Sequence, residues 1–411
     1  MNTFISMSAK EVERHQLIEE VRNGRMDVAE AAERSCVSQR TVFRWQAAVI
    51  SEGVKGLIHG NRGRPSAQAV PKKERNRIIR IVKRTYLDCT AELITEKLEE
   101  EHGIVRDPKT VAGILRASGI WESPMARRTG RTKSAHRSWR ERRSRLGDMV
   151  QFDGSYHDWF EGRRNIGETC LLAAIDDASS TVLHAEFAPD EGVLAVMGFW
   201  LGYAEKNGLP KSMYVDKFST YRMPEAKAEM NPDTKTQLAR AMETVGTKMI
   251  FANSSQAKGR VERLFRTLQD RLIKELRFKN ISSVEGANRF LKEKYLPAFN
   301  RRFAVPPKEE ADVHRPVGAR DLEGLRQVFV RREERIVQHD FTVAFRNQWY
   351  QVLPSVRLAV RPKDPVEIRE YPDAALGFFV RDKTLQVIPI PKRLPREQRL
   401  TPKTMILTLT N

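Results

Sequence analysis

The sequence predicts a multidomain protein: N-terminal all-α modules, a central α/β domain and a C-terminal small β-barrel. Three patterns carry that expectation. Apolar residues recur at helical spacing from Leu17 to Leu115, and short apolar runs alternate with turn signals from Met149 to Phe251. Beyond Val328, β patterns follow one another closely. A chain of 411 residues is long enough for several domains and at least one sizeable core. Lys and Arg total 72 against 53 Asp and Glu, a net charge of +19 with a pI near 9.9, which points to a polyanionic partner, most simply nucleic acid. Cys36, Cys89 and Cys170 form no C-x-x-C pair, which argues against a disulfide framework or zinc ribbon and fits a reducing cytoplasm. No run reaches the roughly 20 apolar residues a membrane span needs, and the N-terminus lacks a secretory pattern, so a soluble intracellular protein with no membrane contact is expected.

Residues 1–60 read as a helix-turn-helix module. Leu17, Ile18 and Val21 share one face of a first helix ended by Asn23-Gly24, and Asp27 can cap a second helix with Val28, Ala31 and Ala32. Ser38 is suited to cap a third helix by accepting a backbone N–H. Val42 and Trp45 would face inward there, leaving Gln39, Arg40 and Arg44 outward. Gln and Arg can read adenine and guanine edges in a major groove, although a solvated basic face is the plainer alternative. Residues 61–71 form a basic linker whose Arg62-Gly63-Arg64-Pro65 could lie in a minor groove or serve as a flexible tether. Residues 72–120 repeat the trihelical pattern, with Asp107-Pro108 opening its last helix. They are expected to form a second DNA-binding module, with Lys109 among its contacts. Residues 121–147 are a basic linker in which Arg127, Arg128, Arg131 and Arg140 are candidate phosphate contacts. That stretch has too few apolar residues for a core, so it should stay poorly ordered until phosphates neutralise it.

Residues 148–303 carry the most informative order. A strand ends at Asp153, a second runs from Cys170 to Ile175 and a third from Val182 to Phe187. A helix spans Glu191 to Asn207, a fourth strand ends at Asp216, and Leu238, Ala241 and Met242 mark another helix. A fifth strand, Met249 to Phe251, leads into a long helix on which Val261, Phe265, Leu268, Leu272 and Leu276 form a buried stripe. Three antiparallel strands followed by α-β-α-β-α is the ribonuclease H-like order, a mixed sheet with helices on both faces. In that topology the ends of the first and fourth strands are neighbours and the last helix crosses them, so Asp153, Asp216 and Glu262 would converge. Three carboxylates together repel unless cations occupy the site, and oxygen-only ligands favour Mg²⁺ or Mn²⁺. Two such ions about 3.5–4 Å apart suit in-line phosphoryl transfer. Asp176 and Asp177 are most simply turn residues. Lys258 and Arg260 could bind a DNA phosphate or form a solvated face.

Three blocks, Val150-Gln-Phe-Asp153-Gly-Ser, Tyr214-Val-Asp216-Lys-Phe-Ser-Thr-Tyr-Arg222 and Asn253-Ser-Ser-Gln-Ala-Lys-Gly-Arg-Val-Glu262-Arg, together resemble bacterial insertion-sequence transposases of the DDE superfamily, in particular the ISNCY group. The catalytic cores of that superfamily are similar to retroviral integrases. Ala287-Asn-Arg-Phe-Leu291 and Asn300-Arg-Arg-Phe303 fit the same pattern, and the resemblance covers most of the chain. It implies a catalytic triad of Asp153, Asp216 and Glu262 holding two Mg²⁺ per active site, with Mn²⁺ able to substitute. It also implies double-stranded DNA partners (transposon ends and target), a homo-oligomer in a synaptic complex and a nucleoid-associated bacterial location. Two departures concern loop geometry: Ser255-Gln256 stands where Pro-Gln is expected, and Phe218 where a polar residue is expected.

Residues 304–326 read as a connector, 327–390 as a small β-barrel of SH3-like size and 391–411 as a basic tail. The reading from another class is a catalytically silent, transposase-derived DNA-binding regulator.

Overall fold

The computed structural model describes residues 5–62, 69–120, 141–216, 236–251, 259–355 and 358–391. The chain divides into two compact units, Met1–Tyr86 with Gly113–Ile120, and Leu87–Ala112 with Trp121–Asn411.

In the first unit, α1 (Ala9–Arg22), α2 (Val28–Arg34) and α3 (Gln39–Glu52) close around Leu17, Ile18, Met26, Ala31, Ala32, Val42, Val49 and Leu57. The expected apolar faces are the buried ones. Asp27 caps α2 by accepting the Glu30 N–H at 2.7 Å. Ser38 occupies the N-cap of α3, but its hydroxyl pairs with the Thr41 hydroxyl at 3.1 Å rather than with a backbone N–H. The turn before it passes through Cys36 at φ +50°. Trp45 is half-buried and lies under the Arg14 guanidinium. Three more helices follow along the chain: α4 (Lys72–Ile81), α5 (Ala91–His102) and α6 (Pro108–Ala117). Asp107 accepts the Lys109 N–H at 2.8 Å, as its position before Pro108 foretells.

The second unit is built on a five-stranded sheet. Its elements are β1 (Val150–His157), β2 (Thr169–Asp176), β3 (Val182–Ala188), α7 (Val193–Asn207), β4 (Ser212–Val215), α8 (Gln237–Thr244), β5 (Lys248–Phe251) and α9 (Gly259–Phe278). The strand order is β3-β2-β1-β4-β5, with β1–β2 and β2–β3 antiparallel and β1–β4 and β4–β5 parallel. This is the ribonuclease H-like arrangement that the element order predicts. The strand alternation of β1 divides the two faces. Val150 and Phe152 join Trp200, Tyr203, Leu238 and Met242 of the α7–α8 side. On the other face Leu171, Ala173 and Ile175 of β2 meet Val261, Phe265, Leu268, Leu272 and Leu276 of α9. Contrary to the expected end at Asp153, β1 continues to His157, because Gly154, Ser155 and Tyr156 remain paired with Leu172, Leu171 and Cys170.

After α9, α10 (Val284–Phe290) and α11 (Leu296–Phe303) run on through a π-turn at Leu291–Tyr295. Their asparagines finish the edge of the sheet. Asn288 exchanges hydrogen bonds with the Phe187 N–H (2.7 Å) and C=O (3.0 Å), and Asn300 does the same with Val182 (2.9 Å each). Edge-strand groups open to foreign strands are thereby occupied.

The connector is more structured than expected. Leu209 and Arg315 exchange backbone hydrogen bonds, and α12 (Ala319–Val328) follows. The small β-barrel expected over residues 327–390 is not confirmed: the strands there form two sheets with no closed barrel among the described residues. β6 (Arg331–Ile336), β7 (Thr342–Phe345), β8 (Gln348–Val352), β9 (Pro365–Glu370), β10 (Leu376–Val380), β11 (Lys383–Thr384) and β12 (Val387–Ile390) make two separate sheets, β11-β10-β9-β6 and β12-β8-β7. Val343, Phe345, Val366, Ile368, Phe378 and Val380 supply one shared core, which two stacked short sheets bury without closure. None of the three cysteines is in a disulfide: Cys36 is exposed, while burial pushes the Cys89 and Cys170 thiols up to about 12. Among the described residues no helix is long and apolar enough to cross a membrane.

Candidate active site

The β1 face toward α9 is polar where a core strand would normally be apolar. Gln151 is fully buried; its Nε2 donates to Asp177 Oδ1 at 2.9 Å, and its Oε1 accepts the Val261 N–H at 3.3 Å. That N–H lies in the first turn of α9, where a helix cannot satisfy its own donors. Four residues along the strand, Ser155 Oγ accepts from Gln269 Nε2 at 3.2 Å. These contacts pin α9 across β1, and Asp153 lies between them on the same strand face.

The pairing of β1 with β4 sets the second acid. Val150 lies opposite Met213 and Gln151 opposite Tyr214. Asp153 lies two residues beyond Gln151, and Asp216 two residues beyond Tyr214, directly after the end of β4. Glu262 follows Val261 in α9 and is exposed, while Asp153 and Asp216 are half-buried. Asp153 thus lies within β1, Asp216 directly after β4 and Glu262 in the first turns of α9. Their side chains do not form a ready-made ligand set: among the described residues, no group of three or more His, Cys, Asp or Glu is placed to hold a metal ion.

Asp177, read from sequence as a turn residue, is a fully buried hub. Its Oδ1 accepts from Gln151 and from Arg260 Nη1 (2.7 Å), its Oδ2 accepts the Arg143 N–H (2.9 Å), and its own N–H donates to the Met149 carbonyl (3.0 Å). Asp176, also fully buried, accepts from the Gly147 N–H, the Ser179 N–H and the Ser179 hydroxyl. Burial raises its pKa above the usual carboxylate range against the pull of these donors. An Asp-Asp pair followed by Ala-Ser-Ser gave only a turn signal, and its partners lie up to 83 positions away.

The predicted DNA contacts separate into three groups. Gln39, Arg40, Arg44 and Lys109 are exposed. Arg62 and Arg260 are instead engaged within the protein: Arg62 bonds to Glu11 and the Ser6 carbonyl, and Arg260 pairs with Asp177. Arg64, Arg127, Arg128, Arg131, Arg140 and Lys258 lie outside the described residues. The end of the basic linker is docked rather than loose, since Arg142 Nη1 donates to the Ala178 carbonyl and the Ser180 hydroxyl.

Helix α5, assigned from sequence to a DNA-binding module, lies against α9. Arg271 makes a two-pronged bond to Glu96 (2.5 and 3.0 Å), to which Arg302 also pairs, and Lys97 Nζ reaches Glu275 at 2.6 Å and Glu100 at 2.9 Å. Burial alone would lower the Lys97 pKa, but the two glutamates outweigh it and raise it.

The winged helix-turn helix family model matches residues 14–75. The transposase-family protein y4bF of Sinorhizobium fredii (strain NBRC 101917 / NGR234) is 35% identical over 346 residues, covering 84% of this chain and 73% of that protein. The chain belongs to the insertion-sequence transposase family. The transposase for insertion sequence IS1202 of Streptococcus pneumoniae is 29% identical to this transposase over 373 residues, 83% of this chain and 77% of its own. Among solved structures, a simian T-cell lymphotropic virus intasome chain matches with TM-score 0.32 and 14% identity, covering 77% of this chain and all of its own. The catalytic core of BIV integrase matches with TM-score 0.25 and 18% identity over 36% of this chain and 86% of its own. The strand order of the transposase, rather than these low scores, carries its fold assignment.

Proposed function

We propose that this chain binds the terminal inverted repeats of an insertion sequence and catalyses DNA strand cleavage and strand transfer at Asp153, Asp216 and Glu262. What supports the reading is that Gln151, two residues before Asp153, pairs with Tyr214, two before Asp216, and accepts the N–H of Val261, one before Glu262. Carboxylate oxygens are the hard donors that Mg²⁺ and Mn²⁺ take, and two of them level on adjacent strands fit a shared cation. When bound, a pair of such ions supplies charge neutralisation for the attacking and leaving oxygens.

The remaining tasks fall to this chain's own residues. Gln39, Arg40 and Arg44 on α3 read base edges of the terminal repeat, as a helix-turn-helix does. Lys109, Lys258 and the linker residues Arg64, Arg127, Arg128, Arg131 and Arg140 neutralise phosphates. Asp153 and Asp216 from the strand side, and Glu262 from α9, would hold the ions that offset the charge of the scissile phosphate. Water cleaves at the element end, and the freed 3′-OH then attacks target DNA without a covalent link to protein. Paired ends call for a homo-oligomer in the synaptic complex.

The test is Asp153→Asn with a DNA fragment carrying the element ends plus Mg²⁺. Cleavage should fall roughly 10³-fold, several kcal/mol of transition-state stabilisation, while end binding persists. Cleavage at the wild-type rate would remove Asp153 from the chemistry. Inactive wild-type protein that still binds ends would favour a silent DNA-binding regulator.

A further inference from the structure

We propose that Asp177 and Gln151 are positioning residues that set the spacing between Asp153 on β1 and Glu262 on α9; the inference rests on the acidic-site reading above. Asp177 and Gln151 are fully buried, and together they tie three segments to one point. Gln151 stands two residues before Asp153 and joins β1 to both Asp177 and the Val261 N–H. Arg260 stands two residues before Glu262 and is bound to the same Asp177 oxygen at 2.7 Å. The second Asp177 oxygen and its backbone N–H hold Arg143 and Met149, so the carboxylate cannot swing with the helix.

The consequence is mechanical. Each acid of the pair lies one strand repeat or half a helical turn from a residue fixed on Asp177. Divalent-cation ligands of this kind tolerate little displacement, since Mg²⁺–oxygen distances are about 2.0–2.1 Å. Partners that orient ligands without touching the ion typically change metal affinity by about 10- to 100-fold when removed. Loss of the clamp should therefore loosen Glu262 relative to Asp153 without altering either carboxylate.

Mn²⁺ is titrated calorimetrically, without DNA, into full-length wild type, Asp153→Asn, Gln151→Met, Asp177→Asn and the Gln151→Met/Asp177→Asn double variant, with thermal melting alongside. Gln151→Met keeps the side-chain length and leaves the Asp177–Arg260 pair intact, so it decides the matter if Asp177→Asn fails to fold. Mn²⁺ affinity should weaken about tenfold in each single clamp variant. The double variant should be no weaker than the worse single within about twofold, because both act through one clamp. Cleavage of an end fragment should recover as Mn²⁺ is raised. A lower melting temperature with unchanged Mn²⁺ affinity would mean a purely structural role and overturn the inference. Wild-type binding that Asp153→Asn abolishes but Gln151→Met leaves intact would overturn the clamp alone. Absence of Mn²⁺ binding by wild type would overturn the acidic site and the clamp together.

Discussion

Helices α3 and α9 look alike in composition, each amphipathic and rich in arginine, yet they use their cations in opposite ways. On α3 the guanidinium groups of Arg40 and Arg44 are exposed beside Gln39. On α9, Arg260 pairs with Asp177, Arg271 with Glu96, Lys274 with Asp270, and Arg277 with Asp88 and Glu161. Arg263 and Arg266, on either side of the Glu262 turn, are exposed. The net charge of +19 is therefore a poor map of where a polyanion would bind. Arg260, Arg271 and Arg277 hold α9 to neighbouring elements, whereas Arg40 and Arg44 of α3 face solvent.

Substitutions can break that contrast or sharpen it. The largest effect belongs to Arg260→Ala, which leaves Asp177 buried without its ion-pair partner and should cost about 3–5 kcal/mol in denaturant unfolding. A loss under about 1 kcal/mol would return Arg260 to the exposed class. Arg271→Ala removes a two-pronged, partly buried bond to Glu96 and should cost about 2–3 kcal/mol, with affinity for terminal DNA unchanged. Weakened DNA binding there would blur the distinction. Arg44→Ala should reverse the pattern: stability within about 0.5 kcal/mol of wild type, but end binding weaker by about 1–3 kcal/mol in a titration. The smallest effect concerns Glu11, whose pKa is held down to about 2, chiefly by the Ser8 backbone N–H and further by His59 and Arg62, against some desolvation. Its contribution is present above the ordinary value of 4.5 and is lost as pH falls toward 2. Acid unfolding of Glu11→Gln, followed by circular dichroism, should show a shallower slope in that window.

Much of the fold was legible because apolar periodicity reports on each element separately. The stripe from Val261 to Leu276 is buried as read, and the five strands follow in the order expected. What escaped was set by long-range polar contacts. β1 runs past Asp153 because Gly154, Ser155 and Tyr156 stay paired with β2, while the Ser155 hydroxyl meets Gln269 of α9. The pairing of α5 with α9 joins residues about 175 positions apart, and no local pattern announces an ion pair between Glu96 and Arg271. The C-terminal strands are legible individually, but which edges pair has no local signal, so their division into two sheets is not. At the candidate site, the three acids could be nominated from their places at strand and helix ends. Gln151 and Asp177 could not, because a buried glutamine and a turn aspartate gain meaning only from each other.

The unequal setting of the three thiols offers a practical handle. Cys89 and Cys170 are buried, and that burial raises their thiol pKa and disfavours the reactive thiolate. Cys36 is exposed in the turn that leads into α3. A maleimide dye should therefore attach at one native position, next to the helix assigned to base reading, and report its approach to a duplex without any engineered cysteine.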